Sequence, residues 1–182
     1  MSGAPKLVLV TGPSAVGKTT LARRLAAAIG CPMVSRDEIK EGMVAAYGPG
    51  YDPAAGDPLA LPAYDTFFAA LDLLLSSRTT LVAEAAFQHR LWSDGLARLT
   101  TPYALRLIRC TAHPELLRSR HLTRRAALAS RAAHDDAHPV AGSAFEALRV
   151  DAPTLDVATD SAGQPDGDYR PGFAEILEFA HG

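Results

Sequence analysis

The sequence has 182 residues, enough for one domain with a sizeable core and short for two domains of ordinary size. Hydrophobic residues make up 48% and charged residues 21%, a balance typical of globular proteins and unlike that of disordered chains. The formal net charge of −2 provides no overall positive field for a polyanion, which argues against a nucleic-acid partner.

Cysteine content and apolar run length bear on the compartment. Cys31 and Cys110 are too few for the disulfide framework of a small secreted domain, so we expect both to be reduced. The apolar run near the N-terminus is too short for a signal peptide, and no apolar stretch is long enough for a membrane span. We therefore predict a cytoplasmic protein without a membrane partner, folded as a single domain over residues 1–182.

Strands and helices are predicted to alternate along the chain. Residues 6–11 (KLVLVT) form a nearly continuous apolar run of strand length, and apolar residues recur at helical spacing over residues 18–29 before Gly30. Similar patterns predict strands at residues 32–35, 79–86, 104–110 and 155–158, and helices at residues 37–47, 63–76, 90–99, 114–129, 143–149 and 172–180. Residues 48–62, rich in Gly, Pro and Asp, are predicted to be a loop that covers a substrate. This order indicates a parallel sheet with helices on both faces and ligands at the carboxyl ends of its strands.

A glycine-rich loop follows the first predicted strand. Residues 12–19 read GPSAVGKT and match G-x-x-x-x-G-K-[ST] in every fixed position, directly before a predicted helix. In such a loop, backbone N–H groups and the helix N-terminus face a polyphosphate, whereas a chance match would be only a glycine-rich turn. The motif predicts an ATP-binding P-loop made of Gly12, Pro13, Ser14, Ala15, Val16, Gly17, Lys18, Thr19 and Thr20.

Two side chains of this loop have distinct predicted roles. Lys18 would reach the β- and γ-phosphates and act in catalysis, while the Thr19 hydroxyl would bind Mg²⁺, with Thr20 as a weaker second candidate. A P-loop alone does not separate kinases from GTPases, motor ATPases or transporters. Residues elsewhere at the sheet edge must therefore decide the class.

Acidic residues end the second and third predicted strands. Asp37, within SRDEIK, would lie near the γ-phosphate, where a carboxylate can orient and deprotonate an attacking hydroxyl. The alternative is that Asp37 only caps the helix that follows. Glu84, at the end of LVAE, is the candidate acid for the Mg²⁺ water shell, the alternative being an ordinary strand-end carboxylate.

With these motifs the sequence resembles a group of P-loop kinases that includes the zeta toxins, chloramphenicol phosphotransferase and bacteriophage polynucleotide kinase. The resemblance implies a nucleoside-monophosphate-kinase-like α/β fold, a three-layer sandwich with a central parallel sheet and a lid. It also implies that Asp37 accepts the proton of the acceptor hydroxyl. The polynucleotide kinases carry an Arg three residues after this Asp, whereas this chain has Lys40, which lacks the bidentate fork and argues against a polynucleotide acceptor.

Arginines crowd the helix predicted after the fourth strand. Arg120 and Arg124 stand at i and i+4, on one face of that helix, with Arg131 further along. Fixed positive charge stabilises a transferring phosphoryl group, so we predict that Arg120 and Arg124 are catalytic, within a lid over approximately residues 118–140. The resemblance implies lid arginines at the same place. The alternative is a solvated basic face.

The remaining polar and aromatic residues have weaker signals. His134 and His138 lack the spacing of a metal-ligand set and are assigned to a polar lid loop. The resemblance implies contacts with the adenine base around residues 159–165. Trp92, Phe67 and Phe68 are expected to be core residues rather than ligand-stacking groups.

Together these features predict an ATP- and Mg²⁺-dependent kinase that phosphorylates an alcohol group of a small molecule such as an antibiotic, a nucleoside or a sugar. Two alternatives stay open. One is a polynucleotide 5′-hydroxyl kinase, and the other is an ATP-binding switch or ATPase that acts by changing conformation and transfers nothing to a hydroxyl.

Overall fold

The computed structural model describes residues 3–52, 56–127, 145–160 and 169–182. The strands are β1 Lys6–Thr11, β2 Met33–Ser35, β3 Leu81–Glu84, β4 Ala104–Thr111 and β5 Thr154–Ala158. The helices are α1 Lys18–Ile29, α2 Arg36–Tyr47, α3 Ala60–Ser76, α4 His89–Leu96, α5 Pro114–Ala127 and α6 Phe173–His181. The side chains of residues 124–127 lie outside the description.

The five strands form one sheet in the order β2-β3-β1-β4-β5, and its strand pairs are parallel. β1 lies at the centre, where Val10 pairs with Glu84 of β3 on one side and with Ile108 of β4 on the other. A strand covered on both faces has no polar side, which explains why β1 is a continuous apolar run. In the register of β2 and β3, Ser35 pairs with Glu84, so both residues reach the same carboxyl edge of the sheet.

Helices cover both faces of the sheet and produce two apolar cores. One core contains Leu7 and Leu9 of β1 together with side chains of α3 and α4. The other contains Val8 and Val10 of β1 together with side chains of α1 and α6. Successive side chains of a strand point to opposite faces, so β1 alone contributes to both cores. The predicted three-layer α/β architecture, with a parallel sheet between two layers of helices, is confirmed.

Trp92 of α4 joins the aromatic core to the start of the phosphate loop. Its side chain is fully buried, and its Nε1 donates to Oγ1 of Thr11, the last residue of β1, at 3.1 Å. Phe67 and Phe68 pack edge-on against its ring, with centroids 5.8 and 5.9 Å away. The prediction that these three aromatic side chains belong to the core is confirmed.

The helix predicted at residues 143–149 was wrong over its described part, since residues 145–149 have no regular structure. Their backbone groups bond to the start of α4 instead. The Glu146 amide donates to Gln88 Oε1 at 2.5 Å, and the Arg149 amide donates to His89 Nδ1 at 3.2 Å. Leu148 is also buried in the aromatic core. Tertiary contacts therefore outweigh the weak helical periodicity of this segment.

α3 begins at Ala60, inside the segment that the sequence predicts as loop. Pro62 stands in the first turn of this helix, where its missing N–H would have no partner anyway. Several other ends differ from prediction by a few residues, as is usual for element boundaries. Cys31 and Cys110 are both free thiols, half-buried and buried respectively. None of the described helices is long and apolar enough to cross a lipid bilayer.

Candidate active site

The loop between β1 and α1 has the backbone of a phosphate cradle. Ala15 and Gly17 have left-handed φ values of 62° and 97°, and Gly17 leads directly into α1. Left-handed residues next to a helix N-terminus turn consecutive N–H groups toward a common centre, which suits an anion. Gly12 has φ of 149°, and a Cβ there would lie 2.5 Å from the carbonyl oxygen of Cys110 on β4. Only glycine allows this approach.

Lys18 and Thr19 begin α1 at the floor of the cradle. The Lys18 side chain is buried, and its Nζ donates to the Pro13 carbonyl at 2.9 Å. The same ammonium lies 3.9 Å from Oε1 of Glu84, and the Thr19 hydroxyl donates to Oε2 of Glu84 at 3.2 Å. The lysine is therefore folded over the loop, with its charge next to the carboxylate at the end of β3.

Glu84 contacts three other residues of the site, namely Lys18, Thr19 and Ser35. Its Oε2 also accepts a hydrogen bond from Ser35 Oγ at 3.0 Å, and the residue is only 1% exposed. Burial raises the pKa of Glu84; the nearby Lys18 ammonium and the hydroxyls of Ser35 and Thr19 act in the opposite direction without cancelling it. One carboxylate thus links the ends of β2 and β3 with the start of α1.

Asp37 lies in the first turn of α2 and faces the same space. The alternative role that the sequence left open, capping of α2, belongs to Ser35, whose Oγ accepts from the Glu38 amide at 3.5 Å. Asp37 instead has a partly exposed side chain, with Oδ1 3.3 Å from Nη1 of Arg36. Its negative charge also acts to raise the pKa of Glu84, since the two carboxylates flank one cavity.

Arg120 of α5 approaches the loop from the opposite side. Its guanidinium donates to the carbonyls of Thr159 at 2.9 Å and Val16 at 3.4 Å, and to Thr159 Oγ1 at 3.4 Å. Thr159 is fully buried, and its hydroxyl donates to the Val16 carbonyl at 2.5 Å. Arg120 therefore connects the P-loop with the chain that leaves β5. The side chain of Arg124, and residues 128–144 with Arg131, His134 and His138, lie outside the described residues.

These elements surround one cleft of about 330 Å³. It brings together the P-loop, Asp37, Glu84 and Arg120, which the sequence singled out separately. Gly12, Pro13 and Val16 form the loop without lining the cleft, and Val16 is fully buried beneath it. The lining residues are Ser14, Ala15, Gly17, Lys18, Thr19, Thr20, Arg23, Ser35, Asp37, Glu38, Glu41, Glu84, Ala86 and Arg120.

Comparison with known families agrees with this geometry. The model of the AAA domain family AAA_33 matches residues 7–148, a range that contains the P-loop, Asp37, Glu84 and Arg120. The chain belongs to this family. The resemblance to a group of P-loop kinases is thereby confirmed. Among curated proteins, none matches the sequence.

Solved structures share the fold of this AAA domain over nearly its whole length. A protein from Chloroflexus aurantiacus named "putative kinase" is 27% identical, with a TM-score of 0.84 and 98% of both chains covered. A sugar kinase from Janibacter sp. is 19% identical, with a TM-score of 0.59 and coverage of 97% of this chain and 92% of that one. The tunicamycin resistance protein of Deinococcus radiodurans is 18% identical, with a TM-score of 0.52 and coverage of 97% and 93%. The fold is therefore that of P-loop kinase-like proteins.

Mg²⁺ suits the donor set at the bottom of the cleft of this AAA domain. The Thr19 hydroxyl and the Glu84 carboxylate already touch, and P-loop proteins hold Mg²⁺ with few protein oxygens, completed by phosphate and water. Among the described residues there is no group of three or more His, Cys, Asp or Glu side chains that would form an all-protein metal site. The oxygens of Thr19 and Glu84 therefore fit a magnesium ion that binds together with a nucleotide.

Sequence reasoning did not assign a role to Ser35, Arg23, Glu38 or Glu41, which line the cleft of the AAA domain. Ser35 stood within the SRDEIK motif, but its partner Glu84 is 49 residues away in sequence. Arg90 of α4 faces solvent, with 88% of its side chain exposed. The sheet order, rather than any local pattern, decides which of these residues meet.

Proposed function

We propose that this protein is an ATP- and Mg²⁺-dependent phosphotransferase that moves the γ-phosphoryl group of ATP to a hydroxyl group of a small molecule. The observation that carries the proposal is the single cleft in which the P-loop lysine, the Thr19–Glu84 pair and the Asp37 carboxylate meet. A P-loop without a facing carboxylate would hold a nucleotide but would have no group to activate an acceptor.

Each residue has a defined role in the proposed reaction. Asp37 accepts the proton of the acceptor hydroxyl while the hydroxyl oxygen forms a bond to the γ-phosphorus and the bond from phosphorus to the leaving oxygen of ADP breaks. Lys18 and the loop amides neutralise the terminal phosphates. Thr19 and Glu84 would hold Mg²⁺, directly or through its water, and the ion would help to neutralise the charge of the ATP phosphates.

Arg120 supports the nucleotide from the β5 side of the cleft. It lies next to the P-loop and Thr159, on the side opposite Asp37, so its charge falls on the ATP phosphates rather than on the acceptor. Arg124 and a lid over approximately residues 118–140 remain part of the proposal on charge and helical spacing alone.

We also propose the cytoplasm as the compartment, on the cysteine content and the lengths of the apolar runs in the sequence.

The charge of the cleft favours a small acceptor over a polynucleotide end. The α2 residues that line it are Asp37, Glu38 and Glu41. Arg23 offsets one of these charges through its ion pair with Glu38. Lys40, by contrast, is buried and ion-paired with Asp57 of the loop that follows α2. The net negative charge of the α2 residues would repel an acceptor that carries several phosphates, but it would not repel an uncharged hydroxyl compound.

A labelled metabolite pool tests this proposal. The protein is incubated with γ-labelled ATP, Mg²⁺ and a small-molecule extract, and in a parallel reaction with a DNA oligonucleotide that has a 5′-hydroxyl end. We expect label in an organic small molecule and none in the oligonucleotide. Transfer to the oligonucleotide would support the polynucleotide alternative. Label recovered only as inorganic phosphate, across chemically diverse pools, would support the ATPase or switch alternative and contradict the proposal.

A further inference from the structure

Arg36 stands between the helix cap and the proposed base. It is the first residue of α2, directly after the capping Ser35 and directly before Asp37. Its side chain is only 18% exposed, and its Nη1 lies 3.3 Å from Oδ1 of Asp37. Neighbouring residues of a helix do not normally face each other, so this contact requires a particular orientation of both side chains.

The surroundings of Arg36 are costly for protein stability. Its Nε is buried and finds no hydrogen-bond acceptor among the described residues. A buried Nε–H group without an acceptor is unfavourable, and a flexible apolar side chain of similar length would occupy the same space without that cost. Stability therefore does not account for an arginine at this position, and a role in the site is the better explanation.

We propose that Arg36 is a positioning residue for Asp37. A carboxylate on a short side chain turns readily about its terminal torsion, and the Asp37 side chain is 35% exposed at the cleft. By holding Oδ1, the Arg36 guanidinium leaves Oδ2 directed at the incoming hydroxyl. The inference rests on the proposed function, because it assigns Arg36 to the acceptor side of the same reaction. Arg36 does not line the cleft itself, so it acts through Asp37.

Arg36→Met should lower turnover without lowering protein stability or the affinity for ATP. In Arg36→Met the Asp37 carboxylate loses its fixed partner, and we expect turnover to fall by about 10- to 100-fold, the range found when a reacting group is misplaced. Affinity for ATP should stay within about twofold, because the P-loop is untouched. The melting temperature should stay the same or rise, since the unsatisfied donor is removed.

The test measures single-turnover transfer from γ-labelled ATP to the metabolite pool described above, ATP affinity by equilibrium binding and thermal unfolding, all with the full chain. Four proteins are compared: the wild type, Arg36→Met, Arg36→Lys and the control Arg98→Met. Arg98 also pairs with an aspartate, Asp65 at 2.8 Å, but lies on the surface away from the cleft. We expect Arg36→Lys to recover part of the turnover, because it restores the charge but not the fork, and Arg98→Met to transfer at the wild-type rate.

Two results would overturn the positioning role. Wild-type turnover in Arg36→Met would show that Asp37 needs no partner. Parallel loss of turnover, ATP affinity and melting temperature in Arg36→Met, without recovery in Arg36→Lys, would show a structural role instead. A wild-type protein that labels no organic acceptor would overturn the proposed function itself, and the role of Arg36 with it, which distinguishes the two failures.

Discussion

The Thr19 hydroxyl donates to the Glu84 carboxylate across 3.2 Å and thereby joins the first turn of α1 to the end of β3. The two residues are 65 positions apart in sequence and meet because β3 lies next to β1 in the sheet. In the proposed reaction Thr19 and Glu84 would hold Mg²⁺, so this contact marks the expected position of the ion.

Thr19→Ala should weaken the apparent affinity for Mg²⁺ without unfolding the protein. The variant removes one of the two oxygens proposed for the ion, and we expect the Mg²⁺ concentration for half-maximal transfer to rise about 10- to 100-fold, the size of effect seen when a group that supports a metal is removed. A Mg²⁺ titration of transfer at saturating ATP measures this. Thr19→Ser, which keeps the hydroxyl, is the matched control and should titrate like the wild type. An unchanged titration in Thr19→Ala would remove Thr19 from the metal site.

Glu84→Gln should become relatively more stable as pH rises. Because burial raises the pKa of Glu84 above its ordinary value of 4.5, the folded state binds a proton more readily than the unfolded state. The contribution of Glu84 to stability is then greatest below that value and declines as pH rises through the folded pKa. The unfolding free energy of Glu84→Gln minus that of the wild type should therefore increase as pH rises above about 4.5. Urea unfolding at several pH values measures the difference, and a difference that falls with pH would show that the pKa is lowered instead.

Lys40 and Asp57 should be strongly coupled. The Lys40 ammonium is buried, and Asp57 also accepts from Tyr51 and from the Leu59 amide, at 3.0 and 3.1 Å. Asp57→Ala would leave a buried charge without its partner, at a cost of about 3 kcal/mol. The double variant Lys40→Met/Asp57→Ala should lose at least about 1 kcal/mol less than the sum of the single variants. A double-mutant cycle by urea unfolding tests this, and additive losses would mean that the ion pair contributes nothing of its own.

Gly95→Ala should destabilise the aromatic core, whereas Gly42→Ala should not. A Cβ on Gly95 of α4 would lie 2.0 Å from Cζ of Phe68, whose ring is enclosed by Tyr64, Phe67, Phe87 and Trp92. Overpacking of this kind costs about 1 to 3 kcal/mol. Gly42, in the middle of α2, has nothing within 4 Å of the position that a Cβ would take, and alanine there should stabilise by about 0.5 to 1 kcal/mol. Equal effects of the two substitutions on the melting temperature would contradict this description of the core.

The P-loop and the alternation of strands and helices along the chain could be predicted because their sequence signals are local. The motif GPSAVGKT has glycines at the positions where the loop needs them. Gly17 adopts a left-handed conformation, and Gly12 allows the close approach of the Cys110 carbonyl. The apolar run of β1 likewise reflects burial on both faces. These features need no knowledge of distant contacts.

The contacts that assemble the cleft could not be predicted in the same way. Glu84 meets Ser35 only because β2 and β3 are neighbours, and Thr159 bonds to Val16 across 143 positions. Residues 145–149 looked helical, but amides of this segment are satisfied by Gln88 and His89 of a different element. In each case the partner is determined by tertiary packing rather than by residues nearby in sequence.

The central claim is that Asp37 activates an acceptor hydroxyl opposite a P-loop that binds ATP, and Asp37→Asn tests it most directly. The amide keeps the size of the side chain but cannot accept the proton, so single-turnover transfer from γ-labelled ATP should fall by about 10² to 10⁴. ATP affinity should stay within about twofold of the wild type. Asp94→Asn is the matched control, because Asp94 is an exposed carboxylate of α4 that pairs with Arg90. Transfer by Asp37→Asn at the wild-type rate would contradict the account.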